Sequence, residues 1–162
     1  MNAAEIEALH ALYVENRQEF YTYALSITGN REAAEDAIHG VFERLLRRRG
    51  LPPNLRAYVF RSVRNAGYDA WRRTKIRADS IFDESSVVDA AETGSLDAGG
   101  ADDLGPLLQR LSADEREAIV LKIHGGLTFQ QIAELRRTPL PTVASWYRRG
   151  LERLKTMLTQ ER

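Results

Sequence analysis

The chain has no cysteine among its 162 residues. That removes disulfides, thiolate nucleophiles and cysteine-ligated zinc, and makes a reducing cytosol the expected setting. No apolar run approaches the roughly 18 residues that span a bilayer. The first residues, Met-Asn-Ala-Ala-Glu, lack the basic and apolar segments of a signal peptide. The expectation is a soluble, cytoplasmic protein without membrane insertion. The three histidines, His10, His39 and His124, stand far apart and form no HxxxH or HxH spacing with carboxylates. A glycine-rich phosphate loop and a nucleophile elbow are missing too. No metal, cofactor, small-molecule substrate or catalytic residue is therefore expected, and the chain does not read as an enzyme. Nowhere do apolar and polar residues alternate as in a half-buried strand.

What is present is charge in blocks. The net charge of zero conceals eight acids and no Lys or Arg in residues 79–103. Residues 1–78 and 104–162 each carry a net +4. Positions 44–77 hold eleven basic residues against the single acid Asp69, whereas 1–43 hold eight acids against Arg17 and Arg31. Blocks of this kind suggest separate surfaces for partners of opposite sign.

Helical periodicity accounts for everything outside the acidic stretch, so the fold class is all-α: two small helical domains joined by a flexible acidic linker. A first helix is expected over about 3–28, its apolar side formed by Leu9, Leu12, Tyr13, Phe20, Ala24 and Ile27, with Gly29-Asn30 as its end. A second, about 31–49, buries Ala34, Ala37, Ile38, Val41, Phe42 and Leu45, and stops at Gly50. Pro52-Pro53 form a rigid loop, and Asn54 caps a third helix from Leu55 to about Arg77. Residues 79–103, rich in Asp, Ser, Gly and Ala, read as the linker, with Ile81-Phe82 and Val87-Val88 as its apolar patches. Some 25 residues extend to about 80 Å at most. Beyond it, Leu104–Leu111 form a short helix, Ser112-Ala-Asp-Glu115 a capping box opening a helix to His124, and Gly125-Gly126 a break. Thr128-Phe-Gln-Gln131 is a second capping box, and Pro139 and Pro141 suit the first turn of the last helix. The domains are thus 1–78 and 104–162.

The stretch Leu127–Lys155 reads as two short helices joined by a tight turn, a helix-turn-helix whose second helix lies in a DNA groove. In that helix Val143, Tyr147, Leu151, Leu154 and Leu158 share an apolar face. Thr142, Ser145, Trp146, Arg149 and Arg153 share the opposite one, flanked by Arg148 and Lys155. Thr, Ser and Arg near a helix N-terminus reach base edges, and later arginines hold phosphates. On the third helix Leu55, Val59, Val63, Ala66 and Ala70 fall on one side; Arg61, Arg64, Tyr68, Trp71, Arg72 and Lys75 fall on the other. Arginines interleaved with aromatics suit unpaired or melting DNA, because rings stack on exposed bases. Burial of Tyr68 and Trp71 against a neighbouring helix remains a competing explanation. The second helix carries Glu32, Glu35, Asp36, Glu43 and Arg44 around its apolar stripe, an acidic face that suits a protein partner rather than phosphate.

These residues also match a family pattern. Asn30-Arg-Glu-Ala-Ala-Glu-Asp-Ala-Ile-His-Gly-Val-Phe-Glu-Arg-Leu45 and Leu55-Arg-Ala-Tyr-Val-Phe-Arg-Ser-Val-Arg-Asn65, with Asp69 and Arg72-Arg73, resemble region 2 of bacterial sigma factors. Leu111–Leu121 and the helix-turn-helix resemble region 4, and two such domains with a short linker resemble the extracytoplasmic-function (ECF) class. The resemblance implies a promoter-specificity subunit of RNA polymerase. It implies that Asp36, His39, Phe42 and Glu43 bind core RNA polymerase at its clamp helices. It implies that the minus-10 element is recognised and melted by Arg48, Asn54, Arg61, Arg64, Asn65, Tyr68, Trp71, Arg72, Arg73 and Lys75. The minus-35 element of promoter DNA falls to Thr128, Thr142, Ser145, Trp146, Arg148, Arg149 and Arg153. It also implies an anti-sigma factor as a further partner, and a linker that threads toward the RNA exit channel. His39 stands where the family often has Gln, and Leu46 where it often has Trp. Pro141, Ala144 and Trp146 replace the more usual Gly, Lys and Arg, which bears on the minus-35 sequence more than on the fold. Trp146 would pack on thymine methyls or sugar, or on protein. The rival readings are a stand-alone helix-turn-helix regulator, which has no need of the single-strand-type face, and a degenerate sigma-like decoy acting through protein contacts.

Overall fold

Asparagine at helix starts and glycine at helix ends cut the first eighty residues into three helices. The structure, a computed structural model, describes residues 1–80 and 105–160, apart from the side chains of 78–80. Most of the expected acidic linker, with Ile81, Phe82, Val87 and Val88, lies outside the described residues. Helix α1 spans Ala3–Thr28, α2 Arg31–Leu46 and α3 Leu55–Ser80. Asn2 closes a capping box with Glu5 in which each side chain accepts from the other's backbone N–H at 2.9 Å. Gly29 takes a left-handed φ of 66° and donates its N–H to Leu25 O at 2.8 Å. Asn30 at once caps α2 by accepting the Ala33 N–H at 2.9 Å. Asn54 does the same for α3 through the Ala57 N–H at 3.2 Å.

The three helices pack around Leu9, Phe20, Tyr23, Leu25, Ile38, Val41, Leu45, Val59, Phe60 and Val63, all buried. Phe20 sits 4.8 Å from Phe60 and 6.1 Å from Phe42, centroid to centroid, and Tyr13 meets Phe42 edge-on at 5.1 Å. The buried side of α3 differs from the expected one. Phe60 and Gly67 are buried, while Leu55, Ala66 and Ala70 are only half-buried. The reason is a close helix crossing: a Cβ on Gly67 would stand 3.2 Å from Ile27 Cγ2, so α1 lies against the glycine rather than against the alanines. Helix α2 ends at Leu46, short of the expected Arg49. Its last turn tightens through an Arg48 N–H bond to Leu45 O at 3.1 Å, and Gly50 then takes a φ of 83°.

The second compact unit holds α4 (Gly105–Gln109), α5 (Ala113–Ile119), α6 (Phe129–Arg136) and α7 (Leu140–Gln160). Ser112 caps α5 by accepting the Glu115 N–H at 3.2 Å, but the expected return bond of the capping box does not form. The Glu115 carboxylate is instead buried, 3.4 Å from Arg153 on α7. Helix α5 does not run on as α-helix to His124. Val120–His124 form a turn of π-helix, closed by Gly125 N–H to Val120 O at 3.0 Å. The wider turn lets Val120 and Leu121, neighbours in sequence, both be fully buried.

Thr128 and Gln131 form the expected capping box at the start of α6. Arg137, in the left-handed region at φ 51°, ends that helix, and the Thr138 N–H returns to Ala133 O at 3.0 Å. Pro139 then supplies the first carbonyl of α7, accepting the Thr142 N–H at 3.0 Å. The buried side of α7 is Val143, Gly150, Leu154 and Met157, whereas Leu151 and Leu158, expected on the core face, are exposed. Gly150 allows this rotation, because a Cβ there would lie 2.6 Å from Ile119 Cδ1 on α5. Among the described residues there is no strand, and no helix is long and apolar enough to cross a membrane.

The π-turn makes Gly125 obligatory although its φ of −76° suits any residue. An added Cβ would stand 2.7 Å from the Leu121 carbonyl and 2.8 Å from Leu127 Cδ1. Gly125→Ala is expected to lower stability by about 1–3 kcal/mol, read as a lower urea midpoint with unchanged slope; an unaltered midpoint would show that the turn relaxes freely.

Candidate nucleic-acid and polymerase interfaces

Each candidate surface is the outward side of a helix whose inward side has just been described. On α2, Asp36, His39 and Glu43 are exposed on one face, together with Glu32 and Glu35. Phe42 stands apart from them. It is half-buried and held between Tyr13 and Phe20, so it supports the face from beneath. At the C-terminal end of the same face lies Leu46, 53 % exposed, a large apolar side chain in water. It was not among the candidate residues. The signal for it was in the sequence: a leucine one turn beyond Glu43 on the acidic side of the wheel.

On α3 the candidate residues divide between two places. Of the six placed on one side of the helix, Arg61, Trp71, Arg72 and Lys75 are exposed, and Arg64 and Tyr68 half-buried. Arg64 lies 4.7 Å over the Tyr68 ring and Lys75 5.0 Å over the Trp71 ring. Two cation–ring pairs thus follow one another along the helix, each ring restraining its cation. Trp71 is 43 % exposed, so its stacking surface is open rather than buried against a neighbour. Asn65 and Arg73 instead line a groove of about 410 Å³ between α2 and α3, with Asp36, Arg44, Asp69 and Arg77. Arg72 is tied back to Asp69 by an exposed ion pair, which contributes little to stability.

Arg48 and Asn54 come from the loop that leads into α3. Arg48 Nη1 donates to the Tyr58 hydroxyl at 2.9 Å and its guanidinium lies 5.1 Å over that ring, which fixes the loop on α3. Asn54 is committed as the α3 cap. Arg56, the second residue of α3, donates to Asn16 Oδ1 at 3.0 Å and so ties α3 to α1. Burial lowers the pKa of this guanidinium, opposed by the Glu19 carboxylate, whose charge raises it.

On α7, Thr142, Ser145 and Trp146 are half-buried, and Arg148, Arg149 and Arg153 exposed. Arg148 lies well round the helix from the others. Thr128 belongs to the α6 cap, with its side chain accepting the Gln131 N–H at 3.1 Å. Arg149 and Arg153 border a cleft of about 420 Å³ with Arg110, Glu152, Thr156 and Met157. Arg110, from α4's end, is a cation that the sequence pattern did not connect with α7. The Trp146 ring lies 4.7 Å from the Arg136 guanidinium, which also reaches Glu117 at 2.8 Å and Asp114 at 2.7 Å.

Comparison with known proteins bears on both units. The family model for sigma-70 region 2 matches residues 12–76, and that for sigma-70 region 4 matches residues 102–154. The chain is 26 % identical to RNA polymerase sigma factor CarQ of Myxococcus xanthus over 156 residues, 94 % of this chain and 90 % of the relative. It is 25 % identical to ECF RNA polymerase sigma factor EcfG of Rhodopseudomonas palustris (strain TIE-1) over 142 residues, 84 % of this chain and 77 % of the relative. Among solved structures it resembles the sigma factor RpoE of Bartonella quintana, determined in complex with the anti-sigma factor NepR. The TM-score is 0.71 at 26 % identity, over 96 % of this chain and 99 % of that one.

If the outward rings serve a ligand rather than the fold, their removal costs little. Trp71→Ala is expected to change stability by less than about 0.5 kcal/mol, whereas Phe60→Ala, one face away and fully buried, costs about 3–5 kcal/mol. Thermal unfolding of the two variants separates the cases.

Proposed function

The chain belongs to the sigma-70 family of RNA polymerase sigma factors, in its extracytoplasmic-function class, and from that premise we propose how its surfaces divide the work of initiation. Residues 1–78 bind core RNA polymerase and the minus-10 element, residues 79–103 link, and residues 104–162 bind the minus-35 element. The observation that carries this reading is the pairing, in one chain, of a helix-turn-helix with a basic face on α3 that carries two cation–ring pairs. Duplex recognition alone needs only the first; holding bases that have left the stack needs the second.

The acidic face of α2 meets the polymerase. Asp36, His39 and Glu43 make its polar contacts, Phe42 stiffens it and Leu46 adds an apolar anchor at its end. Negative charge there also keeps DNA phosphates from competing for the same surface. On α3, Arg61, Arg64, Arg72 and Lys75 neutralise the backbone of the opened strand while Tyr68 and Trp71 stack on its bases. Arg48 and Asn54 shape the loop at the entry to α3, and Asn65 and Arg73 face the α2–α3 groove, where they support the strand's path from the side. On α7, Thr142, Ser145 and Trp146 approach base edges, with Arg148, Arg149, Arg153 and the α6 cap at Thr128 directed to phosphates. The complex in which the Bartonella relative was determined supports an anti-sigma factor as the partner that holds this chain inactive. The chain acts as an initiation factor without chemistry of its own.

Run-off transcription with core polymerase from the source organism tests the reading, on fragments of its genome that include the region upstream of this gene. Discrete starts that depend on the protein are expected; DNA binding without polymerase binding would mean a stand-alone regulator, and polymerase binding without starts a decoy. Trp71→Ala should lower output from duplex promoters by about tenfold or more, the worth of one stacked base, and lose most of that deficit on a template already unpaired at the minus-10 element. An equal loss on both templates would argue against stacking. Reversal of charge at Asp36 and Glu43 to Lys is expected to abolish capture of the core enzyme while leaving thermal stability unchanged.

A further inference from the structure

One guanidinium joins all three main helices of the second unit. Arg136, at the end of α6, has only 12 % of its side chain exposed. Its Nη1 lies 2.8 Å from Glu117 Oε2 and its Nη2 2.7 Å from Asp114 Oδ1, both carboxylates coming from α5. Glu117 is itself only 3 % exposed. With two of its nitrogens bound to two different carboxylates, the planar guanidinium has its orientation fixed. Its Cζ then lies 4.7 Å from the centroid of Trp146 on α7, the range of a cation–π contact. The ring is left half-buried on the polar side of α7, beside Thr142, Ser145 and Arg149.

A surface tryptophan is ordinarily free to change rotamer, and ordering it on binding costs free energy. Here the cost is met before binding, because the ring rests on a cation that the core holds in place. A buried carboxylate such as Glu117 needs a partner, but an ion pair alone does not require that its cation also lie against a ring on the reading helix.

We propose that Arg136 is a positioning residue for promoter selection: clamped by Asp114 and Glu117, it holds the Trp146 indole rigid, and Trp146 selects thymine at one step of the minus-35 element. Thymine follows from the chemistry of the ring. In the major groove only thymine presents an apolar group, its C5-methyl, whereas guanine, adenine and cytosine offer acceptors and donors. An indole offers an apolar edge and a single N–H, so it cannot make the bidentate pairs that distinguish guanine or adenine. The inference rests on the assignment of α7 to the minus-35 element made above.

The test is transcription by holoenzyme, this chain with core polymerase, from a promoter library randomised across the minus-35 element. The unsubstituted protein is expected to favour thymine on the order of tenfold at one step. Trp146→Ala and Arg136→Met each flatten the preference at that same step, and the double variant flattens it no further. Arg136→Lys, a point charge that cannot bridge both carboxylates, gives an intermediate loss and guards against failure of Arg136→Met to fold. Arg149→Ala lowers output for all sequences alike. A purely structural Arg136 would lower stability and total output while leaving every base preference intact, and that result overturns the proposal. So does an unaltered preference in Trp146→Ala, or a preference for another base at the step it controls. A wild-type holoenzyme that initiates with no preference anywhere in the minus-35 element would instead remove the assignment of α7 itself.

Discussion

A row of five rings, Tyr13, Phe42, Phe20, Phe60 and Tyr23, is the constraint on which the first unit depends. Neighbouring centroids lie between 4.8 and 6.1 Å apart, and the row draws members from α1, α2 and α3 in turn. Each fully buried ring contributes about 1.5–3 kcal/mol by leaving water, and tilted or edge-on pairs add about 0.5–1.5 kcal/mol each. Because all three helices contribute, no one of them can rotate without unstacking the row. The outward faces are thereby fixed as well. The acidic side of α2 and the basic, ring-bearing side of α3 are the complements of two inward faces locked to the same core.

The second unit is held by a different means. All its helices but α7 are short, and α4 and α5 have five and seven residues, too few to be stable alone. Termini therefore carry much of the specification: Ser112, Thr128 and Pro139 start helices, and Arg137 ends one in a left-handed conformation. Charges that the surface of a larger domain would keep in water are drawn inward here. Glu115 and Glu117 are both buried, and each is answered by an arginine from another helix, Arg153 and Arg136. An ion pair of this kind adds little net stability over an apolar pair, but it is directional. It sets the angles at which α6 and α7 leave α5, and in a helix-turn-helix that angle is what function requires.

The helix starts were legible in the sequence because they rest on local chemistry. Asn54, Ser112 and Thr128 each bind a backbone N–H three residues on, a rule that needs no knowledge of the rest of the chain, and Asn30, expected only as the end of α1, obeys the same rule at the start of α2. Which side of a long helix faces the core was less legible. On α3 and α7 the aliphatic residues marked a face that proved to be turned from the true one, and in both helices a glycine explains the turn. Gly67 and Gly150 look like weak points on a helical wheel, yet each faces a side chain of another helix, Ile27 and Ile119, at a distance that leaves little or no room for a Cβ. The π-turn at Val120–His124 was hidden for a similar reason: it exists to bury two adjacent residues, and periodicity assigns adjacent residues to different sides. The division of the α3 candidates into an outward row and a groove-lining pair, Asn65 and Arg73, likewise needed the position of α2.

Under the proposed assignment the two basic faces solve different problems, and their residues differ accordingly. A face that grips duplex must match a rigid, regularly charged surface, so on α7 the cations stand a turn apart, with short side chains, Thr142 and Ser145, between them and the helix start. A face that holds unpaired bases meets a flexible strand and gains more from stacking than from register. On α3 two of the cations are accordingly placed against rings, Arg64 on Tyr68 and Lys75 on Trp71. The same contact that restrains the cation leaves the other face of the ring for a base. On the same assignment Trp146 joins the two designs: a ring held by a cation, as on α3, but set on the helix proposed to read duplex. Its cation belongs to a buried network rather than to the surface, so the proposal has this ring held more firmly than those of α3. Rigidity favours discrimination between bases and adaptability favours capture of any base that opens, which is the division of labour that reading one element and melting another demands.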